Sequence, residues 1–210
     1  MHLDSANTLR EIAILDKFFT DEAVGFKGKF LEIGADDGKD QLYHLLAKGW
    51  NGVYCEPDPR CCYELIKNTE SYKNQVTIIN SAVMDQQGLM DFYFSSNGSG
   101  TSSLDPSWHE RIKEHVPDPN IRKIIINAIS TQELLTLVGT DFDIVSIDAE
   151  GSDDRIVTSI DWQQFDRCRI LLIEGNLHLR NQLENQGNFK VYTETDSNII
   201  YVKDQYLKNQ

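Results

Sequence analysis

Apolar positions recur along the chain with two periods. Leu9, Ile12, Leu15 and Phe19 fall at helical spacing, so the first twenty residues are expected to form an amphipathic helix. From Lys29 onward short apolar runs alternate with helical stretches. Residues 29–33 predict a strand ending at Gly34, and 38–48 a helix with Leu42, Leu45 and Leu46 on one face. A second strand is expected over 52–55. Asp58 followed by Pro59 starts a helix running to about Lys67, because aspartate caps and proline suits the first helical position. Residues 76–79 predict a third strand, and 89–94 alternate like an added strand beside it. Residues 95–120 are irregular and hold three of the five prolines. Residues 124–129 are apolar again. Ser130 with Glu133 forms a capping box that opens a helix ending near Gly139. A strand (142–147), a helix (154–160), a strand (170–173) and a helical stretch (177–187) follow. The segments 189–193 and 199–202, separated by Asp196-Ser197-Asn198, predict a closing hairpin.

Strands alternating with helices imply an α/β fold, with a largely parallel sheet covered on both faces. The hairpin adds an antiparallel last strand, so a seven-stranded mixed sheet is expected. Ligands of such sheets sit outside the carboxyl ends of the strands. The chemistry is therefore expected just after Ile33, Cys55, Ile79, Ile147 and Ile173.

Charge narrows the choice of ligand. The 210 residues carry 33 acidic against 20 Lys and Arg side chains, a net charge of -13. That field repels nucleic acid and anionic membranes, so neither is an expected partner. No apolar run approaches a membrane span, and residues 1–10 lack the pattern of a secretory signal. Cys55, Cys61, Cys62 and Cys168 include no Cys-x-x-Cys pair and read as reduced thiols of a cytoplasmic protein.

The turn after the first strand reads Glu32-Ile33-Gly34-Ala35-Asp36-Asp37-Gly38. Its glycines have G-x-x-x-G spacing rather than the G-x-G-x-x-G of dinucleotide sites. Three carboxylates there oppose a diphosphate, which needs a bare positive helix start, and favour a cationic ligand. The second strand ends in Tyr54-Cys55-Glu56-Pro57-Asp58. A carboxylate at the end of a second strand accepts ribose hydroxyls. Together these features point to S-adenosylmethionine, an adenosine with a positive sulfonium and no phosphate.

Several segments in order resemble the FkbM-type methyltransferases, within the Rossmann-like class of S-adenosylmethionine-dependent enzymes. They are Phe30 to Gly38, Gly49 to Pro57, Asn80 to Val83 with Gly88, Ile147-Asp148-Ala149-Glu150-Gly151 with Ser159 to Asp161, and Leu172 to Glu174 with Asn176. The match runs roughly from Lys29 to Val202. Asp36 stands where the family often has Asn, and Asp154 where it has an apolar residue. A single methyltransferase domain over 1–210 is expected, with residues 1–24 as an N-terminal helical segment by their spacing and 95–120, which align poorly with the family, as an acceptor-side loop or lid. The resemblance implies methyl transfer to a hydroxyl of a sugar or other small metabolite. The expected cofactor contacts are Glu32, Gly34, Ala35, Asp37, Gly38, Glu56, Pro57, Ser81, Ala82 and Asp148, with Ala82 or its neighbours beside the adenine.

Asp148, at the end of the fourth strand, is the first candidate for base or acceptor-orienting group. Glu150 shares that role, and His178 is a further candidate, because an imidazole titrates near neutrality. Asp148, Glu174 and Asn176 also form an oxygen-rich set that suits Mg²⁺. The polar loop 98–103 reads either as a lid or as plain surface. His109, Arg111, Lys113, His115, Arg122 and Lys123 form one basic neighbourhood, suited to an anionic acceptor or to solvent. Two other classes stay open: a cofactor-binding interaction module without catalysis, and an NAD-dependent oxidoreductase.

Overall fold

In a computed structural model of the chain, residues 5–19, 25–95, 102–107, 120–175 and 177–207 are described. Helix α1 (Ala6–Phe19) is followed by β1 (Lys29–Ile33), α2 (Tyr43–Ala47), β2 (Asn51–Cys55), α3 (Pro59–Asn68) and β3 (Val76–Ile79). Then come β4 (Ala82–Met84), β5 (Gly88–Ser95), β6 (Ser102–Ser103), β7 (Ile121–Ser130) and α4 (Thr131–Val138). The chain continues through β8 (Ile144–Ile147), α5 (Asp153–Ser159), β9 (Ile170–Glu174), α6 (Arg180–Gly187), β10 (Phe189–Glu194), β11 (Asn198–Lys203) and α7 (Asp204–Leu207).

Seven strands form the main sheet in the order β10-β11-β9-β8-β1-β2-β3. The five strands from β9 to β3 are parallel, and β11 enters antiparallel between β9 and β10. The alternation seen in the sequence decides the two cores. Phe30, Tyr54, Ile144 and Ile170 point to one face, with Leu15 of α1, Leu45 of α2 and Leu65 of α3. Leu31, Cys55, Val145 and Leu171 point to the other, with Leu134 of α4, Ile156 of α5 and Leu183 of α6. Both faces are thus covered, as a buried parallel sheet requires.

Two caps form as the sequence predicts. Asp58 accepts the Arg60 amide at 2.9 Å at the start of α3, and Ser130 accepts the Glu133 amide at 3.1 Å at the start of α4. Three expectations need correction. Residues 89–94 do not lie beside β3. They form β5 of a second sheet, ordered β4-β7-β5-β6, whose main pairing is with β7. That sheet has its own small core of Ala82, Met84, Phe92, Ile126 and Ala128. The helix expected over 38–48 is reduced to Tyr43–Ala47. Asp40 accepts the Leu42 amide at 2.9 Å in the preceding turn, which leaves 38–41 as loop. The helix expected from Asp154 begins one residue earlier, at Asp153.

Candidate functional site

A cleft opens at the carboxyl ends of β1, β2 and β8, between the main sheet and the second sheet. Its void, open mouth included, is about 1060 Å³. The floor comes from the turn after β1, the segment after β2 and the loop after β8. The second sheet supplies Ala82, Met84 and Phe92, and the segment after β6 supplies Leu104, as an apolar wall.

The turn after β1 is shaped by backbone geometry. Gly34 has φ +86°, and Asp36 has φ +46°, a left-handed conformation that Asp and Asn adopt more readily than other residues with side chains. The amides of Gly34 and Ala35 both donate to the Cys55 carbonyl, at 2.9 and 3.2 Å, tying the turn to the end of β2.

Glu56 is held by that same arrangement. Its carboxylate accepts the Asp36 amide at 2.8 Å and the Asp58 amide at 2.6 Å. Only 5% of the residue is exposed. Burial pushes its carboxyl up to about 8, against the two amide hydrogen bonds that favour the ion. Asp58 shows the opposite balance. Burial would raise it, but hydrogen bonds from the Arg60 side chain and amide hold it below its ordinary range. Ser102 of β6 donates to the same Asp58 carboxylate at 3.2 Å.

The loop after β8 carries the second acidic group. Asp153 accepts the amides of Ala149 (2.8 Å) and Gly151 (3.2 Å) and so fixes the loop from its far side. Glu150 sits at φ +49°, and its carbonyl accepts the Ser103 hydroxyl at 2.7 Å. Burial pushes the Asp148 carboxyl well above the carboxylate range, with the neighbouring Glu174 charge and a hydrogen bond to Glu174 adding to it. Two carboxyls in hydrogen-bond contact hold a proton between them. Carboxylate oxygens of Asp148, Glu150 and Glu174 lie within 4.8 Å of one another. Asn176, expected as a partner in that set, lies outside the described residues.

Of the residues expected around the cofactor, Glu32, Gly34, Ala35, Asp37, Glu56, Pro57, Ser81, Ala82 and Asp148 all line this cleft, as does Glu150. Gly38 does not. A Cβ there would meet Leu65 Cδ1 of α3 at 2.2 Å, so this glycine serves helix packing. His178 is also outside the cleft; it is exposed and pairs with Asp154 at 2.7 Å. Of the basic neighbourhood, Arg122 and Lys123 are on β7, where Lys123 pairs with Asp91 at 2.9 Å; 108–119 lie outside the described residues. In the loop 98–103 only Ser102 and Ser103 are described.

The cleft also includes residues that the sequence did not single out. Lys39, Asp40 and Gln41 line it, because the shortened helix leaves them in the turn. Burial pushes the Asp40 carboxyl up to about 6. Phe92 and Leu104 come from the second sheet and the segment after β6. A polar triplet directly after Gly38 was the available signal for the first group; nothing local marks the second.

The sequence signature described as the methyltransferase FkbM domain matches residues 32–200. The chain belongs to the FkbM methyltransferase family. No curated protein sequence matches it. Among solved structures, this FkbM chain is similar to the T. thermophilus 16S rRNA N2 G1207 methyltransferase (RsmC), in complex with AdoMet and guanosine. The TM-score is 0.53 at 16% identity, over 95% of this chain and 43% of that one. It is also similar to the N-terminal domain of human METTL16 in complex with SAH, with a TM-score of 0.50 at 14% identity over 95% and 71% of the two chains. At these identities the likeness is one of fold alone.

Proposed function

We propose that the chain transfers a methyl group from S-adenosylmethionine to a hydroxyl of a small metabolite or sugar. The observation that carries this reading is the Glu56 carboxylate, fixed by two backbone amides at the floor of an acidic, phosphate-averse cleft. A carboxylate so held keeps lone pairs for two vicinal ribose hydroxyls. Ser81, Ala82 and Pro57 stand where an adenine would be flanked. Lys39 is the one cation lining the cleft among the described residues, and it suits the methionine carboxylate.

When bound, the cofactor supplies an electrophilic methyl on a positive sulfur. The chain must then align the acceptor and take its proton. The Asp148–Glu174 pair fits that task. Its raised proton affinity brings a carboxylate closer to the range where a base works at neutral pH. Glu150 beside it orients the acceptor. His178 is not part of this reading. Residues 1–210 act as one methyltransferase domain, with β6 as the described part of an acceptor-side cover. The four cysteines are buried and free, which suits the cytosol. No described helix is long and apolar enough to cross a membrane.

The test is calorimetric titration with S-adenosylmethionine, S-adenosylhomocysteine and NAD, followed by transfer of a labelled methyl group to panels of sugars, polyketide-like alcohols and RNA. The assay is run with EDTA and with Mg²⁺, since Asp148, Glu150 and Glu174 have carboxylate oxygens at ligand spacing. Micromolar binding of the first two ligands and label on a hydroxyl compound are expected. Label on RNA would overturn the small-molecule acceptor. NAD binding alone would overturn the methyltransferase reading, and binding without transfer to any acceptor would favour a non-catalytic module.

A further inference from the structure

A second concavity lies at the end of the main sheet opposite the cleft, where β10 begins and β11 ends. Its void, open mouth included, is about 750 Å³. Its floor is rigid. Trp162 is fully buried there, and its indole Nε1 donates to the Val157 carbonyl at 3.0 Å. A Cβ on Gly187 would lie 2.6 Å from Phe189 Cδ2 and 3.0 Å from Trp162 Cβ, so the end of α6 presses directly on that floor.

Lys203, the last residue of β11, is the unusual member of the lining. It is only 8% exposed. Its Nζ donates to the Phe165 carbonyl at 2.6 Å and stands 5.8 Å from the centre of the Phe189 ring. No carboxylate pairs with it among the described residues. A buried lysine is nearly always paired, and an ammonium carries three donors, of which this one uses a single N–H. Its complement is a set of oxygen acceptors brought from outside.

The rest of the lining decides what carries those oxygens. Gln163, Gln186, Asn188 and Gln205 contribute four carboxamides, and Asp166 a carboxylate. The side chains of Gln163, Asn188 and Gln205 make no hydrogen bond among the described residues. A carboxamide donates and accepts at once. Asp166 and the carbonyl end of α6 oppose an anion, and Lys203 opposes a cation. A ligand that donates and accepts at several points without net charge is a polyol. Asn188 is fixed in place for it, with φ +55° and its carbonyl accepting the Asp204 amide at 2.8 Å.

We propose that this groove binds a neutral sugar. Lys203 donates to its hydroxyl oxygens, the carboxamides bridge neighbouring hydroxyls and Asp166 accepts from them. The site is separate from the cleft and does not rest on the methyltransferase reading.

The test is titration of the full chain, labelled with ¹⁵N, against glucose, galactose and N-acetylglucosamine, with inorganic phosphate and putrescine as charged controls. Shifts of the side-chain amide signals of Asn188 and Gln205 are expected with at least one sugar and with neither control. Lys203→Met should weaken that binding by about tenfold or more, the usual loss for a hydrogen bond from a charged donor. Asn188→Gly removes one carboxamide without straining the left-handed backbone and should weaken it severalfold. Thermal melts identify a Lys203→Met chain that fails to fold, and Asn188→Gly then carries the comparison. Binding of S-adenosylhomocysteine, followed in the same samples, is expected to be unchanged in both variants. No shift with any sugar, a response to a charged control in place of the sugars, or sugar binding undiminished in the folded variants would overturn the proposal and leave the methyltransferase reading untouched. Loss of S-adenosylhomocysteine binding in step with sugar binding would overturn it as a separate site.

Discussion

A Cβ placed on Gly34 would lie 1.6 Å from the carbonyl oxygen of Asp148. The turn after β1 and the loop after β8 therefore meet backbone to backbone, and the Asp148 amide donates to the Ile33 carbonyl at 2.9 Å beside that contact. The left-handed φ at Gly34 adds about 1–2 kcal/mol for any residue with a side chain. Gly34→Ala is expected to push the two loops apart, lower the melting temperature by several degrees and abolish binding of S-adenosylhomocysteine. Unchanged binding in this variant would show that the contact does not shape the cleft.

Glu56 gives the cleft a pH dependence. Its carboxyl titrates at about 8 in the folded chain, against an ordinary 4.5. Ribose hydroxyls donate to the ionised form, so nucleoside affinity should rise with pH up to about 8, approaching tenfold per unit. 5′-Methylthioadenosine, which lacks the amino-acid end, isolates this effect. Glu56→Gln should weaken binding and flatten the profile between pH 6 and 8.5.

The same group acts on stability with the opposite sense. A carboxyl whose folded value is raised favours folding below its unfolded value. That contribution is lost as pH rises through about 8, with a limiting slope of about 1.4 kcal/mol per unit. In the absence of ligand, the difference in unfolding free energy between Glu56→Gln and wild type should therefore grow in favour of the variant from pH 5 to pH 8. Urea titrations at several pH values measure it.

Asp148 should separate stability from activity. Its raised proton affinity is likewise lost from stability as pH rises. Asp148→Asn cannot ionise and keeps a hydrogen-bonding group beside Glu174. At pH 8 the variant is expected to melt higher than wild type, by about 2–4 °C for each kcal/mol recovered. Methyl transfer should fall by about 10²- to 10⁴-fold, the usual range for losing a proton acceptor. Binding of S-adenosylhomocysteine should change little.

Ser103 links the second sheet to the loop after β8. It is 1% exposed, donates to the Glu150 carbonyl at 2.7 Å and accepts the Asp105 amide at 3.0 Å. Ser103→Ala leaves both backbone groups without that partner, a local cost of about 1–3 kcal/mol. Amide hydrogen exchange over 102–107 and 148–152 should quicken by at least tenfold, with the core strands β1, β8 and β9 unaffected.

Much of the main sheet was legible in the sequence because its strands are buried on both faces and bounded by Gly, Asp and Pro. The acids at strand ends were legible for the same reason. Glu56 and Asp148 interrupt the chain just where an apolar run stops. The second sheet was not legible. The alternation of 89–94 fixes a strand but not its neighbour, and β7, its main partner, is some thirty residues away in sequence. The α2 region misled because Leu42, Leu45 and Leu46 keep helical spacing while Asp40 caps the backbone and delays the first turn. Gly38 looked like part of the ligand turn, yet its neighbour is Leu65, a contact set by how α3 packs. His178 was offered by its chemistry alone, and its pairing with Asp154 depends on a third dimension the chain order does not display.

The small sheet has a core of its own around Met84 and Phe92, while Val83 of the same strand β4 belongs to the large core around Val145 and Leu171. The cleft runs between them, walled by Met84, Phe92 and Leu104 on one side and by Ala35 and Glu56 on the other. A nucleoside seated there becomes interior material shared by both layers, apolar against one and hydrogen-bonded to the other.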